Sequence, residues 1–276
     1  MSDAGPDADE GFEDGRYLYC VVRVAGVDPD GFAPEGLADE PVRVVTADGL
    51  GAVVHTCDSL YDSDDPTTLK RWLLRHQGVT DDAAEFFGTP LPVRFDTVLT
   101  GDDEDVRAWL RDAAAELEPA LERFAGRREY RVGVHRDEDA LADRLAESDD
   151  RLAELGRRRD ETDEGTSFLV GKQYEKRLSD LVREHREREA DALADRLAEY
   201  AVEVRRLGRN QNAGILGVEG AGDGDATRFA VLAPADHEDD LGAVLDDVAA
   251  ADGVEVRFSG PWPPYTFAPE VGGADQ

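Results

Sequence analysis

Tyr17-Leu18-Tyr19-Cys20-Val21-Val22-Arg23-Val24 is a run of aromatic and β-branched residues between an acidic stretch and Gly26. It reads as a β-strand alternating apolar and polar positions. Working outward, residues 42–46 and 50–55 read as two more strands joined at Ala47-Asp48-Gly49, a hairpin turn. The intervening residues 26–40, with Pro29 and Pro34, read as a loop. Asp64-Asp65-Pro66 supplies an N-cap and a first-turn proline for a helix with Leu69, Trp72, Leu73 and His76 on one face. A strand over 93–99 follows. Asp102, Asp103 and Glu104 then open a helix carrying Val106, Trp109, Leu110, Ala113, Leu117, Leu121 and Phe124 at helical spacing, with a kink expected at Pro119. Residues 129–134 return to strand character. The order predicts an α+β unit over residues 16–135, preceded by an acidic tail over 1–15.

No proline occurs between Pro119 and Pro234. Leu141, Leu145, Ser148, Leu152 and Leu155 keep a 4-3-4-3 spacing, and Tyr174, Leu178, Leu181 and His185 repeat it after a polar break at 157–165. Ala190, Leu193, Leu197, Tyr200, Val204 and Leu207 resume it in a shifted phase. A coiled-coil-like helical region over 136–208 is expected, its apolar seam packing internally or facing a partner helix. Strand signals at 213–218, 229–232 and 254–258, with a helix carrying Leu241, Val244, Leu245 and Val248, predict a ferredoxin-like unit over 209–267 and a short tail. The second domain is thus 136–276, and the fold class is α+β, two ferredoxin-like domains with a helical insertion. Pro261-Trp262-Pro263-Pro264-Tyr265 is expected to end the last strand, because three of its five residues lack an amide donor.

The chain has 276 residues and a formal charge of −32, from 63 Asp and Glu against 31 Lys and Arg. Only Lys70, Lys172 and Lys176 are lysines. An acidic surface this poor in lysine suits molar salt, where the Debye length falls to about 3 Å. The same charge argues against nucleic acid or an anionic membrane as partner. No apolar run approaches the roughly 18 residues of a membrane span, and residues 1–15 lack the apolar stretch of a signal peptide, so a cytoplasmic location is expected. Cys20 and Cys57 have no partner spacing for zinc and suit a reducing compartment.

Catalytic and cofactor motifs are missing. Gly165-Thr166-Ser167-Phe168-Leu169-Val170-Gly171-Lys172-Gln173 departs from a phosphate loop in spacing and in having Gln173 where Ser or Thr is needed; it reads as a helix start. The glycines of 214–224 read as a hairpin loop. His55, His76, His135, His185 and His237 lie in different elements, and His55, Cys57, Asp58 and Asp62 read as a polar turn before they read as a metal site. We expect no enzyme, no cofactor and no metal. Trp262 and Tyr265, with Pro263 and Pro264, read either as a stiff interface anchor or as a packing lid. Tyr174, Leu193, Leu197 and Tyr200 on the helical seams are the other candidate partner-binding residues.

The segment Phe258-Ser259-Gly260-Pro261-Trp262-Pro263-Pro264-Tyr265-Thr266-Phe267 resembles the terminal signature of the gas vesicle protein F and L family. Tyr17-Leu18-Tyr19-Cys20-Val21-Val22, Leu50-Gly51-Ala52-Val53-Val54, Leu91-Pro92-Val93-Arg94-Phe95-Asp96-Thr97-Val98, Glu129-Tyr130-Arg131-Val132 and Gly171-Lys172-Gln173-Tyr174 are similar to further family blocks, in order. Asp96 stands where the family usually has Gly. The acidic tail and the length lean toward the archaeal L branch. The resemblance implies a non-enzymatic assembly protein of gas vesicles, binding the hydrophobic shell protein, gas vesicle protein A, and other accessory vesicle proteins. A small-molecule-binding or enzymatic protein on ferredoxin-like domains is the alternative; it needs a pocket with convergent polar groups.

Overall fold

The computed structural model describes residues 14–24, 26–208 and 226–269, so the acidic tail and the expected strand at 213–218 lie outside the described residues. The chain builds two antiparallel sheets with helices. The first holds β1 (Gly15–Arg23), β2 (Arg43–Ala47) and β3 (Leu50–Cys57), then α1 (Pro66–Phe87), β4 (Leu91–Pro92) and β5 (Val98–Thr100). Its order is β2-β3-β1-β4, with β5 also paired to β1. Asp48 and Gly49 turn the hairpin with φ of 48° and 88°, the left-handed pair that matches strand twist. Asp65 caps α1 by accepting from the Thr67 and Thr68 amides.

Of the expected strand over 93–99 only Val98 and Leu99 are extended, in β5; residues 93–97 form the turn after β4, in which Asp96 takes φ 65°. That backbone explains why glycine suits this position. Aspartate tolerates it, and its side chain accepts from the Tyr61 amide at 2.9 Å. Two helices follow, α2 (Asp103–Asp112) and α3 (Ala114–Phe124). Their break falls at Ala113, earlier than the expected kink at Pro119. Inside α3 the proline ring crowds the carbonyl four residues back, Ala115, which places the adjustment in the preceding turn.

Residues 129–134 were assigned by pattern to the first unit; their strand, β6 (Arg127–Arg136), is central to the second sheet instead. Its inward residues Tyr130, Val132 and Val134 pack with the helices that follow. Those are α4 (Glu138–Ser148), α5 (Asp150–Asp160) and α6 (Glu164–Ala198), each opened by an aspartate cap: Asp137, Asp149 and Asp163. Then come β7 (Glu203–Arg206), β8 (Thr227–Pro234), α7 (Glu238–Ala249) and β9 (Val254–Trp262). The order β7-β8-β6-β9 repeats that of the first sheet: second strand, third, first, fourth.

Two details differ from the sequence pattern. The helical spacing through Val204 and Leu207 ends in fact at Ala198, because Val204 pairs with Val231 in the ladder of β7 and β8. And β9 continues through Pro261 to Trp262, which it can do because an edge strand leaves one side of its ladder free.

β1 and β8 are buried on two faces. Leu18 and Val21 of β1 face a core formed with Leu110, Leu117 and Phe124 of α2 and α3, which Ala230 and Leu232 of β8 enter from the second sheet. Phe229, Val231 and Ala233 on the opposite face of β8 meet Leu193, Leu197, Leu241 and Leu245 of α6 and α7. The period of two on β8 thus divides one strand between two cores. Tyr17 and Tyr19 of β1 point the other way, under α1.

Candidate functional site

Three places concentrate polar chemistry or exposed apolar surface. The first is the C-terminal signature. After β9 the chain leaves the sheet at the buried Pro263 and Pro264 and closes a turn, the Tyr265 amide donating to the Pro263 carbonyl at 2.8 Å and the Phe267 amide to Pro264 at 3.1 Å. Glu129 on β6, 1 % exposed, receives the Thr266 amide and the Thr266 hydroxyl, each at 2.7 Å, and Arg131 Nε at 2.6 Å. Burial raises its carboxyl above the usual range, while Arg131 and Thr266 pull it back. Arg205 donates to the Thr266 carbonyl at 2.7 Å and stacks on Phe267, 4.7 Å from the ring centre. Phe267 itself lies in the first core.

Tyr265 is enclosed near Thr80 and Asp81 of α1, and burial pushes its phenol well above the usual range. Thr80 donates its hydroxyl proton to the His76 carbonyl at 3.0 Å, and among the described residues the enclosed Tyr265 hydroxyl and Trp262 indole N–H have no hydrogen-bond partner. The signature therefore works as a clasp: it ties β6 and β7 of the second sheet to α1 and β1 of the first. Trp262, Pro263, Pro264 and Tyr265 pack against their own chain, the two prolines buried and the two aromatic residues half-buried. Gly260 makes the approach possible. It has φ 135°, and a Cβ there would lie 2.9 Å from the Glu129 carbonyl and 2.9 Å from Tyr130 Cδ1. Gly260→Ala should cost about 2 kcal/mol of stability, measured by guanidinium unfolding.

The second place is the arm formed by α5 and α6. Leu193 and Leu197, at 5 % and 0 % exposure, belong to the second core, so this part of the seam packs internally. Tyr200 is half-buried, with its carbonyl accepting from His237 Nδ1 at 2.9 Å. Tyr174, also half-buried, has the Arg159 guanidinium 5.8 Å from its ring centre. What stands free is Phe168 and Leu169, at 65 % and 62 % exposure, near the start of α6. They lie in the stretch that resembles a broken phosphate loop. The signal in sequence was an adjacent apolar pair out of phase with the seam. Between Arg151 and Arg177, moreover, seven basic residues face six acidic ones, in a chain otherwise dominated by carboxylates.

The third is a buried aromatic and histidine cluster that joins His55, which the sequence pattern places in a polar turn, to His76, which it places on an apolar helix face. The Leu37 amide donates to the Tyr19 hydroxyl, which bonds His55 Nδ1 at 2.8 Å; His55 Nε2 meets the Tyr61 hydroxyl at 2.9 Å. Beside it, Tyr17 bonds His76 Nδ1 at 2.8 Å, His76 Nε2 faces the Val93 carbonyl at 3.3 Å, and the Asp96 amide donates to Tyr17. Both imidazoles are saturated by hydrogen bonds. Burial pushes each down to about 4, so both are neutral at pH 7. Among the described residues no group of three His, Cys, Asp or Glu is arranged to hold a metal, and no helix is long and apolar enough to cross a membrane.

The family model for gas vesicle synthesis protein GvpL/GvpF matches residues 15–269. The chain belongs to this family. It is 44 % identical over 275 residues to gas vesicle protein L2 of Halobacterium salinarum, covering 98 % of this chain and 97 % of that one. Gas vesicle protein L of Haloferax mediterranei is 37 % identical over 290 residues, covering 94 % of this chain and 89 % of its own length. The crystal structure of GvpF from Anabaena sp. PCC7120 superposes with a TM-score of 0.69 at 21 % identity, over 93 % of this chain and 99 % of that one. GvpF from Microcystis aeruginosa gives 0.67 at 20 %, over 92 % and 99 %. This GvpL/GvpF member thus shares the fold of those GvpF structures over about nine-tenths of its length. Its signature, the part most characteristic in sequence, is the clasp that holds the two sheets together.

Proposed function

We propose that this chain is an accessory protein of gas vesicle assembly, made in a salt-rich cytoplasm, that binds the hydrophobic shell protein, gas vesicle protein A, and other accessory vesicle proteins. It acts as a scaffold of two ferredoxin-like units and carries out no catalysis. Nucleic acid and membranes are not its partners. The observation that carries this reading is the exposed pair Phe168 and Leu169 on an arm freed of excess negative charge. Large apolar side chains left open near the start of α6 suit a surface that is covered in a complex. Tyr174, half-buried with Arg159 over its ring, lies further along the same helix.

The test is capture of purified shell protein and accessory proteins in molar salt by the full chain and by Phe168→Glu/Leu169→Glu. Both positions are exposed, so melting should stay within about 0.5 kcal/mol of the parent, while capture should fall at least tenfold, or about 1.4 kcal/mol. Undiminished capture by the folded variant would remove the arm from the interface. Absence of capture by the parent chain would overturn the assembly role.

A further inference from the structure

The outer face of α1 carries a feature that the assembly reading does not use. From Pro66 to Thr80 the helix has three cations, Lys70, Arg71 and Arg75, and no carboxylate, in a chain with 63 acidic residues. All three are exposed, and among the described residues none pairs with a carboxylate. Together with the carboxylates Glu35 and Asp82 they line a groove of about 510 Å³ between α1 and the loop at Glu35, in which cations outnumber carboxylates by three to two. Its apolar element is Leu74, 48 % exposed, with Gly78 one turn further on, where a Cβ would meet nothing within 4 Å.

We propose that this groove docks an acidic amphipathic helix of another protein. Arg71 and Arg75 stand one helical turn apart, the spacing at which a second helix presents Asp or Glu at i and i+4. Leu74 and the gap over Gly78 receive an apolar side chain between those carboxylates, the helix-in-groove arrangement. Charge selects this occupant. Phosphates of a nucleic acid or a lipid surface would meet the three cations only by also meeting the carboxylates that cover the rest of the chain, whereas one short helix engages the groove alone. Ion pairs set at contact distance and half covered by the groove are also screened far less by salt than separated surface charges.

The proposal does not depend on gas vesicles, and its test separates the two. The full chain is produced in its own host with p-benzoylphenylalanine at position 74, irradiated, and the cross-linked peptide is sequenced. The expected product is an Asp- and Glu-rich helical peptide of another protein, whatever that protein is. Its yield should drop at least tenfold in Lys70→Glu/Arg71→Glu/Arg75→Glu, and also in Gly78→Leu, which fills the gap while leaving the charges in place. Both variants should melt as the parent does, since all four positions face solvent or open space. Cross-links to residues 1–13 of this chain, to a second copy, to lipid, or to nothing would each overturn the proposal. So would a yield unchanged by charge reversal.

Discussion

Glu129→Ala should lower stability by about 3–5 kcal/mol, the largest effect we expect from a single substitution in this chain. Glu129 is buried and is the common acceptor for Arg131 and for both donors of Thr266. Removing one partner of a buried ion pair leaves the other charge without compensation, and that desolvation cost exceeds what the pair itself contributes. The loss also releases the clasp. Thr266 holds Phe267 in the first core and Tyr265 against α1, so the two sheets lose a shared anchor along with the hydrogen bonds. Hydrogen exchange at the Thr266 amide should accelerate in the variant by more than its global destabilisation predicts. Glu129→Gln keeps an acceptor for Thr266 and should fall between the two. Equal unfolding midpoints for Glu129→Ala and the parent would show that the clasp contributes nothing to the association of the sheets.

Acid should loosen the first unit through its two buried imidazoles. His55 and His76 have folded values near 4 and an unfolded value near 6.5. Between those limits the unfolded chain binds more protons than the folded chain, so stability rises with pH across the window and is fully present only above about 6.5. Going from pH 7 to pH 5 should remove about 3 kcal/mol through the two imidazoles, read from guanidinium or urea midpoints at constant molar salt. Asp81 works against this. Burial and the nearby Asp82 raise its carboxyl to about 6, so its protonation on acidification favours the folded state. In Asp81→Asn the fall should therefore be steeper than in the parent. Asp103, held down to about 2 by Arg43 and Arg16, stays ionised throughout and adds no slope in this range. A flat profile from pH 7 to pH 5 in Asp81→Asn would mean that the histidines are reached by water and not enclosed.

Local signals carried most of the elements. Asp65-Pro66 and Asp102 each opened the helix that capping and first-turn charge assigned to them, and Asp48-Gly49 made the turn its residues favour. These depend on contacts a few residues apart, which is why they were readable. The Pro-Trp-Pro-Pro-Tyr segment marked the family for the same reason: it is rare and contiguous. Its role was not readable, because stiffness and aromatic content are shared by anchors and lids. Glu129, Arg131 and Arg205, remote in sequence, show what the segment packs against.

Tertiary structure decided everything that depends on pairing across long separations. The strand at Arg127–Arg136 has the same composition whichever sheet receives it; its register with β8 and β9 makes it central to the second. The helical seam has the same spacing whether it packs inward or faces a partner; contact with Phe229 and Val231 takes Leu193 and Leu197 inward and leaves Phe168 and Leu169 outside. His55 and His76 lie 21 residues apart on a strand and a helix, and become one neutral cluster only because β1 sets Tyr17 and Tyr19 between them. What the sequence determined by itself was local: caps, turns, acidity and family. Partnership between distant residues is a property of the packed chain, since the free energy that chooses among pairings is that of burying two surfaces at once.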